Sequence, residues 1–139
     1  MMLNSLNDVK SIAVPTIVDP DGRGNLSVIE DGVLPFQMQR VYYIYDIPTN
    51  SYRGAHAHKA QQEFLIALSG SFDVVLDDGA DKKRYRLNDP KEGLLIPTGI
   101  WRELENFSSG SVCMVLNSSA YEEEDYIRDY STFKQLKSQ

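Results

Sequence analysis

Of cysteine the 139-residue sequence has one and of histidine two. One cysteine excludes an intramolecular disulfide and a multi-cysteine metal centre. Cys113 stands in the apolar run Val112-Cys113-Met114-Val115-Leu116, where a small buried hydrophobe is the expected role. Basic residues are also scarce: Lys and Arg total 14 against 20 Asp and Glu, a formal charge of −6. That balance argues against a basic surface tracking a nucleic-acid backbone, whose affinity comes mainly from neutralised phosphates. It leaves room for one small anionic ligand held by a few convergent arginines. No stretch approaches the ~20 apolar residues of a membrane span. The opening MMLNSLNDVK has neither the basic-then-apolar pattern nor the small-residue cleavage site of a signal peptide. A soluble cytoplasmic protein is therefore expected, with neither nucleic acid nor membrane as partner.

What the sequence does hold is core-forming material. Hydrophobic residues make up 42%, and a chain of this length buries roughly 65–70% of its unfolded surface, so residues 1–139 are expected to form one domain. Eight tyrosines, many Val and Ile, and short runs broken by Gly, Pro, Asn and Asp point to strands. Strands are predicted at 12–18, 25–30, 37–45, 53–58, 63–69, 72–76, 84–87, 93–96, 101–104 and 112–117. Asp19-Pro20-Asp21-Gly22, Ser69-Gly70-Ser71 and Asp77-Asp78-Gly79 supply turns. So many short strands in one small domain read as a barrel or sandwich. Only 119–139 departs from the pattern: Tyr126, Ile127, Tyr130 and Phe133 recur at helical spacing, with Ser119 or Ser131 as caps and 122–125 as a solvated acidic face.

Both histidines fall in Arg53-Gly54-Ala55-His56-Ala57-His58. A strand's period of two puts His56 and His58 on one side, as a proton-transfer pair, half of a metal site, or two polar residues on a solvated face. A neutral imidazole both accepts and donates a proton near neutral pH. A tyrosine or Glu63 stays open as the base. On 40–45 the alternation puts Tyr43 and Tyr45 on one face and Tyr42 and Ile44 on the other; Tyr43 is the candidate to polarise a carbonyl, with the core as its alternative. Arg23, Arg40, Arg53 and Arg102 lie outside the tail and the basic hairpin 82–86. Arg23, between two glycines, and Arg53, just before the histidines, are the phosphate or sugar candidates; a surface ion pair is the alternative for each.

The pattern His56-x-His58-x4-Glu63-x6-Gly70 resembles the first signature of the cupin barrels, and Pro97-x-Gly99-x2-Arg102-x3-Asn106 has the frame of the second. In metal-binding cupins a third histidine stands where this sequence has Arg102. A guanidinium stays protonated and offers no lone pair, which argues for a metal-free site. The strings RGAHAHK, SGSFDVVLDDG, WRE and YEEEDYIRDY are together similar to the dTDP-4-keto-6-deoxyglucose 3,4-ketoisomerases, the WxcM-like cupins, over nearly the whole chain.

That resemblance implies an all-β cupin jelly roll (a double-stranded β-helix) with a short C-terminal helical segment in an extension at 119–139. It also implies a homodimer in which N-terminal strands, within 1–20, are exchanged. The implied reaction moves a carbonyl from C4 to C3 of a dTDP-sugar, without metal or cofactor, to feed 3-amino-3,6-dideoxyhexose synthesis for surface polysaccharides. His56 and His58 are its implied catalytic residues, with Arg23, Arg53, Tyr43, Arg102 and Glu63 at the substrate. The product's configuration at C4 stays open. The competing readings are a 3,5-epimerase, a metal-dependent cupin, and a sugar-nucleotide-binding cupin without activity.

Overall fold

The computed structural model describes residues 2–139. Where one strand is predicted at 12–18 there are two, β1 (Lys10–Ala13) and β2 (Thr16–Val18). Pro15 between them has no N–H to give a ladder, and the chain breaks there. A hairpin joins β2 to β3 (Asn25–Ser27) through the Asp19-Pro20-Asp21-Gly22 turn, in which Gly22 has φ 75°. The predicted strand at 37–45 narrows to β4 (Arg40–Ile44). Then follow β5 (Arg53–His58), β6 (Glu63–Ser69), β7 (Phe72–Asp77), β8 (Lys82–Leu87), β9 (Glu92–Ile96), β10 (Trp101–Glu105) and β11 (Val112–Asn117), each within two residues of its predicted place. A further two-residue strand, β12 (Tyr126–Ile127), has no counterpart among the predictions.

All pairings are antiparallel. One sheet runs β1-β9-β6-β11-β4 and the other β12-β5-β10-β7-β8, while β2 and β3 stand apart as a ribbon. Leu65, Ala67, Phe72, Val74, Leu76, Ile96, Cys113 and Val115 fill the core between the sheets. This is the expected cupin jelly roll. Phe64, Ile66, Leu95 and Leu116, out of phase with that core, bury themselves under Val14 and Leu34 of the N-terminal segment. The central strand β6 is thus covered on both faces, which is why its sequence is a continuous apolar run rather than an alternation. Gly93 makes room for this: a Cβ there would lie 2.2 Å from Cζ of Phe64. Cys113 is fully buried, and burial pushes its thiol up to about 12, an inert packing residue as expected.

The tail contains a 3₁₀ turn at Glu123–Asp125, then β12, then helix α1 (Tyr130–Lys137). Neither predicted serine caps α1. Asp129 does, accepting from the Thr132 N–H at 2.9 Å, so the helix starts one residue before Ser131. Phe133 anchors it in a cluster with Ala57, Trp101 and Ile127 against the second sheet. Among the described residues no helix is long and apolar enough to cross a membrane.

Candidate active site

The site begins with an irregularity in β5. Arg102 of β10 pairs with His56, but the next residue, Glu103, pairs with Gly54, leaving Ala55 as an extra residue. Gly54 and Ala55 both take positive φ, 87° and 60°. Such a bulge shifts the phase of the strand. Arg53 and His56, three apart and on opposite faces of a regular strand, consequently both line the same cavity.

That cavity, about 450 Å³, opens between the two sheets. β4 contributes Arg40, Tyr42 and Ile44, and β6 contributes Glu63 and Leu65. Arg102 and Leu104 come from β10, Val115 from β11, and Tyr126 and Arg128 from the tail. Leu65, Leu104 and Val115 make an apolar floor, over which four arginines and Glu63 are gathered; Arg128 is itself paired with Glu123 at 2.7 and 2.9 Å. The charge suits an anionic ligand with an apolar part.

At the centre Glu63, 1% exposed, accepts from Nη1 of Arg102 at 2.5 Å, from Nδ2 of Asn117 at 2.6 Å and from the Tyr42 hydroxyl at 3.2 Å. Burial by itself would raise its pKa, but the Arg102 guanidinium overrides that and holds the carboxyl well below the usual range. Glu63 is accordingly held as a carboxylate with both oxygens hydrogen-bonded. Tyr42 moves the other way: burial and then the Glu63 charge push its phenol well above the usual range, so it is a neutral donor. His56 is driven down to about 3, by burial first and by Arg102 second. It is a neutral imidazole with Nε2 unpartnered.

His58 does not reach the cavity surface. It is fully buried behind His56, ring centroids 4.8 Å apart and edge to face, with the Tyr126 ring against both. Its Nδ1 lies 3.0 Å from Oδ2 of Asp125 and its Nε2 3.6 Å from Oε2 of Glu63. Asp125, expected on a solvated face, is turned inward by the 3₁₀ turn and held by the backbone N–H groups of Ala60 and Gln61.

Two further expectations change. Tyr43 is 62% exposed on the outer face of β4, and Tyr42 takes the place at the cavity, because β4 turns the phase of Arg40, Tyr42 and Ile44 inward. Arg23 lies at the exposed tip of the β2–β3 ribbon, outside its own chain's cavity, bonded to Asp19. Arg53, Arg102, Glu63 and His56 do converge as expected. Arg40 and Arg128 join them unforeseen. Arg40 was legible from its phase with Tyr42; Arg128 is delivered by a two-residue strand that leaves no periodic signal.

His56, His58 and Glu63 place three donor atoms within 4.8 Å of one another, a spacing at which an ion could be held. The residues present do not fit an ion. The fourth position is a permanent cation, both Glu63 oxygens are taken by hydrogen bonds, and Nδ1 of His58 faces Asp125.

The profile of the family described as FdtA: WxcM-like, C-terminal matches residues 7–138. The chain is 45% identical over 115 residues to a TDP-4-oxo-6-deoxy-alpha-D-glucose-3,4-oxoisomerase of Aneurinibacillus thermoaerophilus, covering 82% of this chain and 83% of that one. The crystal structure of a 3,4-ketoisomerase from Helicobacter canadensis superposes with a TM-score of 0.90 at 41% identity, covering 95% of this chain and 98% of the other. A sugar 3,4-ketoisomerase from Thermoanaerobacterium thermosaccharolyticum, solved in complex with TDP, gives 0.92 at 38% identity, covering 96% and 97%.

Proposed function

Since the chain belongs to the FdtA, WxcM-like C-terminal family, we propose that it is a cytoplasmic isomerase converting dTDP-4-keto-6-deoxy-D-glucose to a dTDP-3-keto-6-deoxyhexose. The observation that carries this reading is His56, a neutral imidazole facing a cavity rimmed by arginines. The rim arginines Arg40, Arg53 and Arg128 hold the diphosphate, and the sugar lies over His56. His56 takes the proton from C3. The C3–H pair becomes the C3=C4 bond of an enediolate, whose oxygen charge faces Arg102 and the Tyr42 hydroxyl. His56 then returns the proton to C4, and the O3 proton moves to O4, leaving the ketone at C3. No redox cofactor is consumed, because one carbon is oxidised as its neighbour is reduced. The product supplies the ketone that a 3-aminotransferase requires.

The test is NMR of the sugar after incubation with dTDP-4-keto-6-deoxyglucose. A ketone at C3 is expected, and the same spectrum gives the C4 configuration. A ketone that stays at C4 while C3 and C5 exchange with solvent deuterium is the result of a 3,5-epimerase and would overturn the reading.

Because the donor set does not fit an ion, exhaustive chelation is expected to leave turnover unchanged. Arg102→His supplies the missing nitrogen ligand and is expected to bind Zn²⁺, Mn²⁺ or Fe²⁺ while losing or altering activity. Metal analysis and product NMR on both proteins check this; turnover abolished by chelation and restored by one metal would defeat it.

The functional unit is a homodimer that exchanges the β2–β3 ribbon; β1, inside the expected exchanged segment 1–20, instead pairs with β9 of its own chain. Supporting this, Ile17, Val18 and Leu26 of the ribbon and Val41, Tyr43 and Tyr45 of the β4 segment are exposed large apolar side chains, the kind of surface that marks an interaction site. The exchange carries Arg23 on its ribbon to the partner's cavity as a phosphate ligand. Arg23→Ala is then expected to weaken binding of dTDP and substrate alike, by about 10-fold or more for a lost charge-assisted contact. Unchanged dTDP affinity by calorimetry would leave Arg23 a surface ion pair with Asp19.

A further inference from the structure

The acidic run at 122–125 has no part in the reaction as described, yet one of its members is a neighbour of the buried histidine. Asp125 is anchored three ways. Its Oδ1 accepts from the Ala60 N–H at 2.6 Å, its Oδ2 from the Gln61 N–H at 3.3 Å, and its carbonyl from the Lys59 N–H at 3.0 Å. The pairing of β12 with β5 at Tyr126 and His58 fixes the same turn from the other side. Backbone N–H groups cannot accept, so the carboxylate's orientation is settled without His58. Its Oδ2 then presents an acceptor to Nδ1 of His58 at 3.0 Å.

We propose that Asp125 is a positioning residue that keeps a proton on Nδ1 of His58, leaving Nε2 as the nitrogen turned toward Glu63 and the cavity. This rests on the ketoisomerase reading for its kinetic consequence and on geometry alone for the proton's place. An acceptor-only carboxylate demands a donor at Nδ1. His58 packs against the ring that becomes imidazolium when it takes the C3 proton. With the N–H directed at Asp125, the positive end of the His58 dipole points away from the cavity. The opposite tautomer turns that end toward His56, beside Arg102, and opposes the charge His56 must acquire.

Asp125→Asn tests this, because the amide's orientation is dictated by the same anchors. Its oxygen keeps the short Ala60 N–H contact at 2.6 Å and gives up the longer Gln61 one at 3.3 Å, which places NH₂ against Nδ1 of His58 and turns that nitrogen into an acceptor. The measurement is ¹⁵N NMR of the full-length protein labelled at histidine; with two histidines, His56→Asn assigns both rings. In the wild type Nδ1 of His58 is expected to carry a proton. In Asp125→Asn it is expected to lose it, with kcat falling by on the order of 10²-fold and dTDP affinity unchanged. A merely structural role would not invert a tautomer or spare ligand binding. A bare Nδ1 in the wild type overturns the proposal without any variant having to fold, and so does an Asp125→Asn protein with an inverted tautomer and full turnover. A wild type with a protonated Nδ1 but no ketoisomerase activity supports the proton assignment and removes the reaction instead.

Discussion

Replacing His56 with Asn is expected to lower turnover by at least ~10²-fold while dTDP binds as before. Asn fills similar space and can hydrogen-bond, but it cannot receive the C3 proton and hand it to C4. The affinity should survive because the rim cations Arg40, Arg53 and Arg128 lie on β4, β5 and the tail and do not depend on the imidazole. Single-turnover NMR in deuterated solvent separates the two properties. Near-normal turnover would remove His56 from the shuttle and move the role to one of the cavity phenols, Tyr42 beside Glu63 first among them.

The largest stability effect is expected at Glu63. Glu63→Gln leaves the Arg102 guanidinium, 2% exposed, without a counter-charge in the barrel. Breaking a buried pair from one side costs about 3–5 kcal/mol, roughly a 10–20 °C lower melting temperature for a domain of this size. Adding Arg102→Met removes the stranded cation and should recover most of that loss, without recovering activity. A Glu63→Gln protein that melts like the wild type would show that Arg102 is solvated some other way.

The same pair gives the pH dependence its sign. The carboxyl of Glu63 is held below its ordinary 4.5, so its contribution is complete above that pH and is lost as acid protonates it. His56, pushed from 6.5 to about 3, works in the same direction: the unfolded chain takes its proton first, and stability falls as pH drops through that interval. Unfolding curves should therefore weaken below pH 6.5 and more steeply below 4.5, with the upper part flattened in His56→Asn.

The strands were legible because β6, β7 and β11 are apolar runs bounded by Gly, Asp and Asn, signals carried by neighbouring residues. The histidine pair was legible for the same reason, since period two fixes its shared side within one strand. Tyr43 shows the limit. Alternation separates Tyr42 from Tyr43, but which face turns inward depends on the packing of β4 against β11, a contact between residues some seventy positions apart. The inward turn of Asp125, the arrival of Arg128 and the extra residue at Ala55 are likewise set by pairing across the fold. None leaves a local pattern. Arg102 was legible as a missing ligand, whereas its partnership with Glu63 appeared only once β10 and β6 were placed on opposite walls.

The position of β12 also has a consequence in time. His58 and Asp125 are 67 residues apart along the chain, an interval a ribosome covers in roughly 3 to 13 s at ordinary elongation rates. For that interval a nascent chain already holds both histidines but has no Tyr126 to pack on their rings and no Asp125 behind them. Strands β6 to β9 can pair meanwhile, but β10 and β11, which bring Arg102, Leu104 and Val115 to the cavity wall, are themselves made in the second half of it. The site is thus closed by one of the last segments made, and a chain halted before residue 125 has Arg40 and Arg53 at the cavity but neither Arg128 at its rim nor Asp125 behind His58.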